Sequence, residues 1–386
     1  MGVRLRHLHL PSVHPHYIPY SLASRVQEHF RRQHLDFKDA KPDSSPAPSP
    51  PPPTLISFTP APIFTLGRRQ TTPLSPSETA RLTAPLRIPA PPPPPPPPHN
   101  DRNSTSNNST DAISLTPKVL HAPRGGLTTY HGPGQVVLWP VLDLRPRAHH
   151  HRPPPHRSYT VKCYARLLEE TTIAALAAAY GLAGQTTADP GVWVAMRSAP
   201  RSPRDTNADA DADADDGEQS LAKIAALGVH LRRHVSALGT AVNLAFPPPY
   251  TAAAADETTN PWARIVACGL EGRAVTSVAG ELGEGAAAEM DARLARAMTA
   301  AGQERERCWP SSREGRLATV WAAELARRMG IAGGVEGVGG EEVMGLMEEL
   351  VRGIDAGSGD GNRDEMAALE EERTYLSRMR DIFAGR

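Results

Sequence analysis

Apolar positions fall into short runs separated by polar or proline-rich stretches, and the spacing within each run predicts its element. Residues 21–33 set Leu22, Val26 and Phe30 four apart, the stripe of a helix with one buried face. Residues 54–66 hold two β-rich runs broken at Pro60 and Pro62, and Gly67 with Arg68 reads as a turn. Val136–Leu144 is almost continuously apolar, as a buried strand would be. A long helix is predicted over Ser158–Gly181: Ser158 is the N-cap, Val161, Ala165, Leu168, Ala175 and Leu176 share a face, and Gly181 closes it. Residues 191–196, 221–231 and 239–246 read as three short strands, and Ile265–Val278 surrounds Cys268 and ends in a β-branched turn. Helical, alanine-rich sequence follows over 286–301 and 317–329, then a charged helix over 364–383. The expected fold class is α/β (α+β), a mixed central sheet with helices on its faces.

Between these runs lie four low-complexity stretches, at about 41–53, 70–117, 145–157 and 198–220. None carries enough apolar surface to offset its ordering entropy, so each is expected to be a solvated insertion. The chain then reads as one catalytic domain over 1–330, interrupted by those insertions, with a helical or flexible tail over 331–386. The proline run at 91–98 suits polyproline II and serves better as a spacer than as a ligand for other domains. His149, His150, His151 and His156 lie among prolines without periodic carboxylates, which favours a loop over a metal site. The Asp/Ala alternation within 207–216 lacks the glycine and terminal glutamate of a calcium loop.

Composition narrows the function. Of 386 residues, 42 are Lys or Arg and 42 are Asp or Glu, so there is no global field to attract nucleic acid or an anionic membrane. Cys163, Cys268 and Cys308 are too few and too scattered for a disulfide framework or a four-ligand zinc site. No membrane-spanning helix is expected, because no run of 18 apolar residues occurs. Arg4, Arg6 and Arg25 precede the first acidic residue, Glu28, a balance that superficially suits a transit peptide; the Leu22, Val26, Phe30 stripe favours a helix that packs into the fold.

Three segments carry chemistry. The densest is Arg124-Gly-Gly-Leu-Thr-Thr-Tyr-His-Gly-Pro-Gly-Gln135, a glycine-rich loop set directly before the buried strand. Such backbone can approach a ligand closely and offer it free amides, yet neither nucleotide-binding fingerprint is present. Arg124, Thr128 and His131 are more than a purely geometric loop needs. The second is Lys223-Ile-Ala-Ala-Leu-Gly-Val-His230, which opens with a lysine that alone would read as a surface residue. The third is Ile265-Val-Ala-Cys268-Gly-Leu, a cysteine between an apolar strand and a glycine turn; alone it would read as an inert thiol.

Together they resemble the octanoyltransferase family of lipoate biosynthesis, also called lipoyl(octanoyl) transferases or the lipoate-protein ligase B family. The family pattern R-G-G-x-x-T-[YW]-H-G-P-G-Q stands at Arg124–Gln135, P-x-[FY]-T-x-G at Pro62–Gly67, K-I-x-[AS]-[IL]-G at Lys223–Gly228 and G-x-A-x-N-[VL] at Gly239–Leu244. The cysteine-glycine element is Cys268-Gly269, followed by Val275-Thr276-Ser277. Two positions depart from the pattern: Ala267 precedes the cysteine where proline is frequent, and Leu238 precedes the glycine where many members have histidine.

The resemblance implies a biotin/lipoate protein ligase-like fold and transfer of octanoyl from octanoyl-acyl carrier protein to a lysine of lipoyl-domain proteins, such as 2-oxoacid dehydrogenase E2 subunits and the glycine cleavage H protein. It implies that Cys268 is the acyl-thioester nucleophile and that Lys223 lowers its pKa and exchanges protons. Arg124, Gly125, Gly126, Leu127, Thr128, Thr129, Tyr130, His131, Ala226, Leu227, Gly228, Gly239, Thr240 and Ala241 would line the acyl site. No cofactor, metal or ATP is implied, and a fungal-type mitochondrial member is expected. An ATP-dependent lipoate or biotin ligase is the rival enzyme, and a proline-rich scaffold without catalysis is the rival of a different class.

Overall fold

The computed structural model describes residues 2–40, 49–90, 112–146, 154–196, 221–246, 256–265, 274–300, 312–355 and 363–385. In chain order these form β1 (Leu5–His9), α1 (Tyr20–Asp39), β2 (Thr54–Phe58), β3 (Ile63–Leu66), α2 (Pro76–Leu82), β4 (Leu86–Ile88), β5 (Ile113–Leu115), β6 (Lys118–His121), β7 (Thr129–His131) and β8 (Gln135–Val141). There follow α3 (Val161–Tyr180), β9 (Gly184–Gln185), β10 (Val192–Ala195), β11 (Leu221–Arg232), β12 (Val235–Asn243), β13 (Ala274–Val275), α4 (Val278–Leu282), α5 (Glu284–Ala300), α6 (Arg313–Met329), β14 (Val335–Gly337), α7 (Gly340–Asp355) and α8 (Arg363–Phe383).

The main sheet runs β14-β1-β2-β8-β12-β11-β10-β9, with β13 beside β11. Its first three strands are mutually parallel, and the rest of that path is antiparallel. This is the mixed sheet the patterns predict. Alternation along β8 sends Val136 and Leu138 into one core with α3 and α6, where Leu168, Leu176, Trp321 and Leu325 are buried. Val137, Trp139 and Val141 face the opposite core, built with α1, α7 and α8. The short sheet β6-β3-β7 and the β4-β5 hairpin enclose a third cluster around Phe64, Tyr130 and Trp262.

Several expectations need correction. The helix cap at α3 is Thr160, whose hydroxyl accepts from the Cys163 amide at 3.1 Å, rather than Ser158. Tyr159 is buried and its amide donates to the Leu144 carbonyl at 2.8 Å, so the backbone stays extended until Thr160. The expected insertion at 70–117 contributes to the core: Ser75 and Glu78 form a reciprocal capping box that starts α2, and Leu82, Leu86 and Ile88 are buried in the third cluster. Residues 331–386 are no separate tail. β14 pairs with β1, Val343, Met344, Met347 and Val351 of α7 are buried against α1 and the sheet, and the Tyr375 hydroxyl donates to the Pro11 carbonyl at 2.5 Å. Residues 41–48, 91–111, 147–153 and 197–220, with the proline run, the histidine triplet and the Asp/Ala alternation, lie outside the described residues.

The β8–β12 pairing is interrupted at a proline beside the cavity. β12 pairs with β8 at Thr240↔Leu138 and again at Val235↔Asp143, and the same register carried between them sets Pro140 opposite Leu238. Pro140 has no amide to donate across that step. Leu238 is left-handed there, at φ 61°. The β11–β12 hairpin closes through Arg233 and His234, at φ 51° and 66°, the two left-handed positions of a type I′ turn.

Candidate functional site

A cleft lies beside the interruption of the β8–β12 pairing, on the α1 side of the sheet. Of the fourteen residues expected at the acyl site, Arg124, Thr129, His131, Ala226, Leu227, Gly228, Gly239, Thr240 and Ala241 line it, brought together from the glycine-rich loop, β7, β11 and β12. Tyr20, Val137, Trp139 and Leu238 complete the wall and were not expected from the sequence. Tyr20 stacks on His131 at a centroid distance of 6.2 Å and 15° between planes, and Trp139 meets the Tyr20 edge at 5.2 Å. Burial pushes the Tyr20 phenol well above its ordinary range, so it stays protonated.

The loop before β7 is clamped. The Arg124 guanidinium donates to the Thr65 hydroxyl at 2.8 Å and 3.1 Å and to its carbonyl at 2.5 Å, tying the loop to β3. The amides of Gly67, Arg68 and Arg69 donate to the carbonyls of Leu127, Arg124 and Gly126 at 3.3, 2.9 and 3.2 Å. A methyl group on Gly67 would sit 2.3 Å from the Gly126 oxygen, so only glycine allows this approach. Gly125, Gly126 and Leu127 give their carbonyls to this clamp and, with Thr128, lie off the cleft wall. Tyr130 turns the other way on β7, into the third cluster with Phe64, Phe246 and Trp262.

A buried relay of amides runs from His131 through β8 and β12 to Thr276, just past β13. Gln135 Oε1 lies 2.8 Å from His131 Nδ1, Gln135 Nε2 donates to Asn243 Oδ1 at 2.8 Å, and Asn243 Nδ2 donates to the Thr276 carbonyl at 2.9 Å. The Thr276 amide in turn donates to the Lys223 carbonyl at 3.0 Å. His131 is buried and its pKa is pushed down to about 4, chiefly by desolvation, with the Gln135 bond opposing and the Arg124 charge reinforcing the shift. It is therefore a neutral imidazole at physiological pH.

Lys223 is buried on β11. Its Nζ donates to the Pro190 carbonyl at 3.0 Å and lies 4.7 Å from the centre of the Trp193 ring, a cation–π distance. Trp193 is held in turn by its indole N–H on the Asp189 carbonyl at 3.2 Å. In register beside Lys223 lies Val275 of β13. Cys268 and Gly269 lie outside the described residues, as does Cys308. Cys163 is exposed at the start of α3.

Residues 102–299, just over half of the chain, match the family model described as the lipoyl protein ligase A/B catalytic domain. Over 261 residues the chain is 27% identical to the Schizosaccharomyces pombe protein named "Probable octanoyltransferase", covering 67% of this chain and 80% of that one. It is 28% identical over 272 residues to the Danio rerio protein named as a mitochondrial octanoyl-acyl-carrier-protein:protein N-octanoyltransferase, with coverage of 70% and 82%. A solved bi-partite lipoate protein ligase of Thermoplasma acidophilum superposes with a TM-score of 0.40 at 11% identity, over 91% of this chain and 92% of that one.

Proposed function

Because the chain belongs to the lipoyl protein ligase A/B catalytic domain family, we infer that it is an octanoyltransferase, an acyltransferase that moves octanoyl from a carrier thioester to a lysine amine. The observation that carries this reading is the unbroken Arg124–Gln135 motif, whose Thr129 and His131 meet Ala226–Gly228 and Gly239–Ala241 around one cleft. The donor is octanoyl-acyl carrier protein, and the acceptors are lipoyl-domain proteins, including E2 subunits of 2-oxoacid dehydrogenases and the glycine cleavage H protein. The reading sets the reaction in mitochondria, as the name of the Danio rerio relative does for that protein.

In this mechanism Cys268 attacks the donor thioester and keeps the octanoyl group while the carrier thiol leaves. A cysteine thiol with its ordinary pKa near ~8.5 is mostly protonated at neutral pH, and a nearby ammonium stabilises the thiolate. Lys223 supplies that ammonium. What supports the pairing is its burial against Trp193 and the register of Val275, just past the Cys268 element, beside it. The acceptor lysine then attacks as a free amine. Conversion of thioester to amide is downhill, so the reading needs no ATP and no cofactor.

Mixing the protein with octanoyl-acyl carrier protein and measuring intact mass tests this directly. An adduct of one octanoyl group is expected on wild type, on Cys163→Ala and on Cys308→Ala, and none on Cys268→Ala. An adduct surviving on Cys268→Ala overturns the nucleophile; transfer that requires octanoic acid with ATP overturns the reaction class.

The clamp gives a second measurable outcome. Gly67→Ala forces the Gly126 carbonyl away and shifts the loop. A displacement near 1 Å at a reacting centre costs about 100-fold in rate. Overpacking destabilises by about 1–3 kcal/mol. Turnover should therefore fall far more than thermal stability does.

A further inference from the structure

Thr129 and His131 are two apart on β7, so their side chains leave the same face of the strand, and both line the cleft while Tyr130 between them turns away. The Thr129 hydroxyl is buried with no hydrogen-bond partner, an arrangement that leaves a donor waiting for a ligand. The relay decides what His131 offers. A backbone carbonyl only accepts, so the Asn243 atom on the Thr276 oxygen is Nδ2; Asn243 Oδ1 then accepts from Gln135 Nε2, and Gln135 Oε1 must accept from His131. His131 is thereby fixed as the Nδ1–H tautomer, and Nε2 keeps its lone pair. Arg124, on the neighbouring loop, opposes its protonation, and Tyr20, stacked on the ring, stays neutral.

We propose that these two side chains read the amide-forming centre, with the Thr129 hydroxyl donating to the octanoyl carbonyl oxygen and His131 Nε2 accepting a hydrogen bond from the N–H of the incoming lysine amine. The assignment rests on the octanoyltransferase reading above. His131 orients the amine without holding a proton for it, since its basicity lies far below that of a lysine amine. The balance is simple: the amine nitrogen bonds to the carbonyl carbon, the carbon–sulfur bond breaks with its electron pair going to sulfur, and the surplus proton on nitrogen goes to that sulfur, giving amide and thiol. Octanoyl itself has no N–H or O–H, so the acceptor at His131 is assigned to the amine step, whereas the carbonyl donor serves both half-reactions.

Single-turnover rates of enzyme acylation and of transfer to a lipoyl domain separate these roles. Asn in place of His131 keeps a donor at the δ position for Gln135 but has no acceptor at ε; Gln offers an acceptor at ε and gives up the δ bond. His131→Asn should slow transfer about 100-fold more than acylation, and His131→Gln should recover part of the transfer rate. Thr129→Val should slow both half-reactions about 100-fold, as loss of an oxyanion donor does, and Thr129→Ser should restore both. His131→Asn with wild-type transfer, or with both steps slowed equally, overturns the assignment of His131, and Thr129→Val with wild-type rates overturns that of Thr129. Failure of wild type to form any octanoyl adduct would instead sink the underlying reading.

Discussion

Lys223→Ala will fold as wild type does and lose octanoyl transfer by about 10³-fold, within the 10²–10⁴ range for removal of a positioned acid–base group. The sign on the thiol follows from charge. An ammonium near Cys268 favours the thiolate, so its removal raises the thiol pKa and moves the pH profile of iodoacetamide alkylation upward. Lys223→Arg keeps a cation over Trp193, and it should retain part of the thiolate reactivity and of the acylation step. It cannot give up its proton near neutral pH, so steps that need a base remain impaired. Alkylation against pH for the three proteins, beside single-turnover acylation and transfer, is the measurement. Superimposable alkylation curves would show that Lys223 is not near the sulfur.

Ending the chain after Gly334 will prevent the native state from forming. β14 is lost from the edge of the main sheet, and Val343, Met344, Met347, Val351, Leu369, Tyr375, Leu376 and Met379 no longer cover α1 and its neighbours. At about 1.5–3 kcal/mol for each buried side chain, the loss is on the order of 10 kcal/mol, comparable with the whole stability of an ordinary domain. Soluble yield and cooperative unfolding report it. Arg25→Ala probes the same contact in a full-length chain: it strips the partner, 3.1 Å away, from the fully buried Glu372 carboxylate, and should cost about 3 kcal/mol in denaturant unfolding.

What the sequence disclosed and what it hid separate along physical lines. The β8 strand, the α3, α5, α6 and α8 helices and the loop at Arg124–Gln135 are legible because each rests on local periodicity or on a contiguous motif. α7 is hard to place within the region read as helical or flexible: its glycines at 340, 345 and 353 lower helix propensity, and its Val343, Met344 and Met347 stripe acquires meaning only against α1. At 70–117 the proline content outweighed a local signal that was present, the Ser75 to Glu78 spacing of a capping box. In the cleft the missed residues are those whose role is set by tertiary placement. Tyr20 comes from the first turn of a helix far away in sequence, and the Gln135–Asn243–Thr276 relay joins three elements.

The step of β12 opposite Pro140 limits which side chains suit it. Leu238 occupies a left-handed backbone that disfavours bulky residues by about 1–2 kcal/mol, whereas Asn, Asp and His are several-fold enriched there. Histidine or asparagine at this position would suit the backbone without any proton to move. Leu238 instead forms an apolar wall residue of the cleft, buried with Trp139 and Ala241 in the core on that side. Exchanging Leu238 for His or Asn therefore trades backbone ease against apolar lining, and reshapes the cleft without replacing any other wall residue.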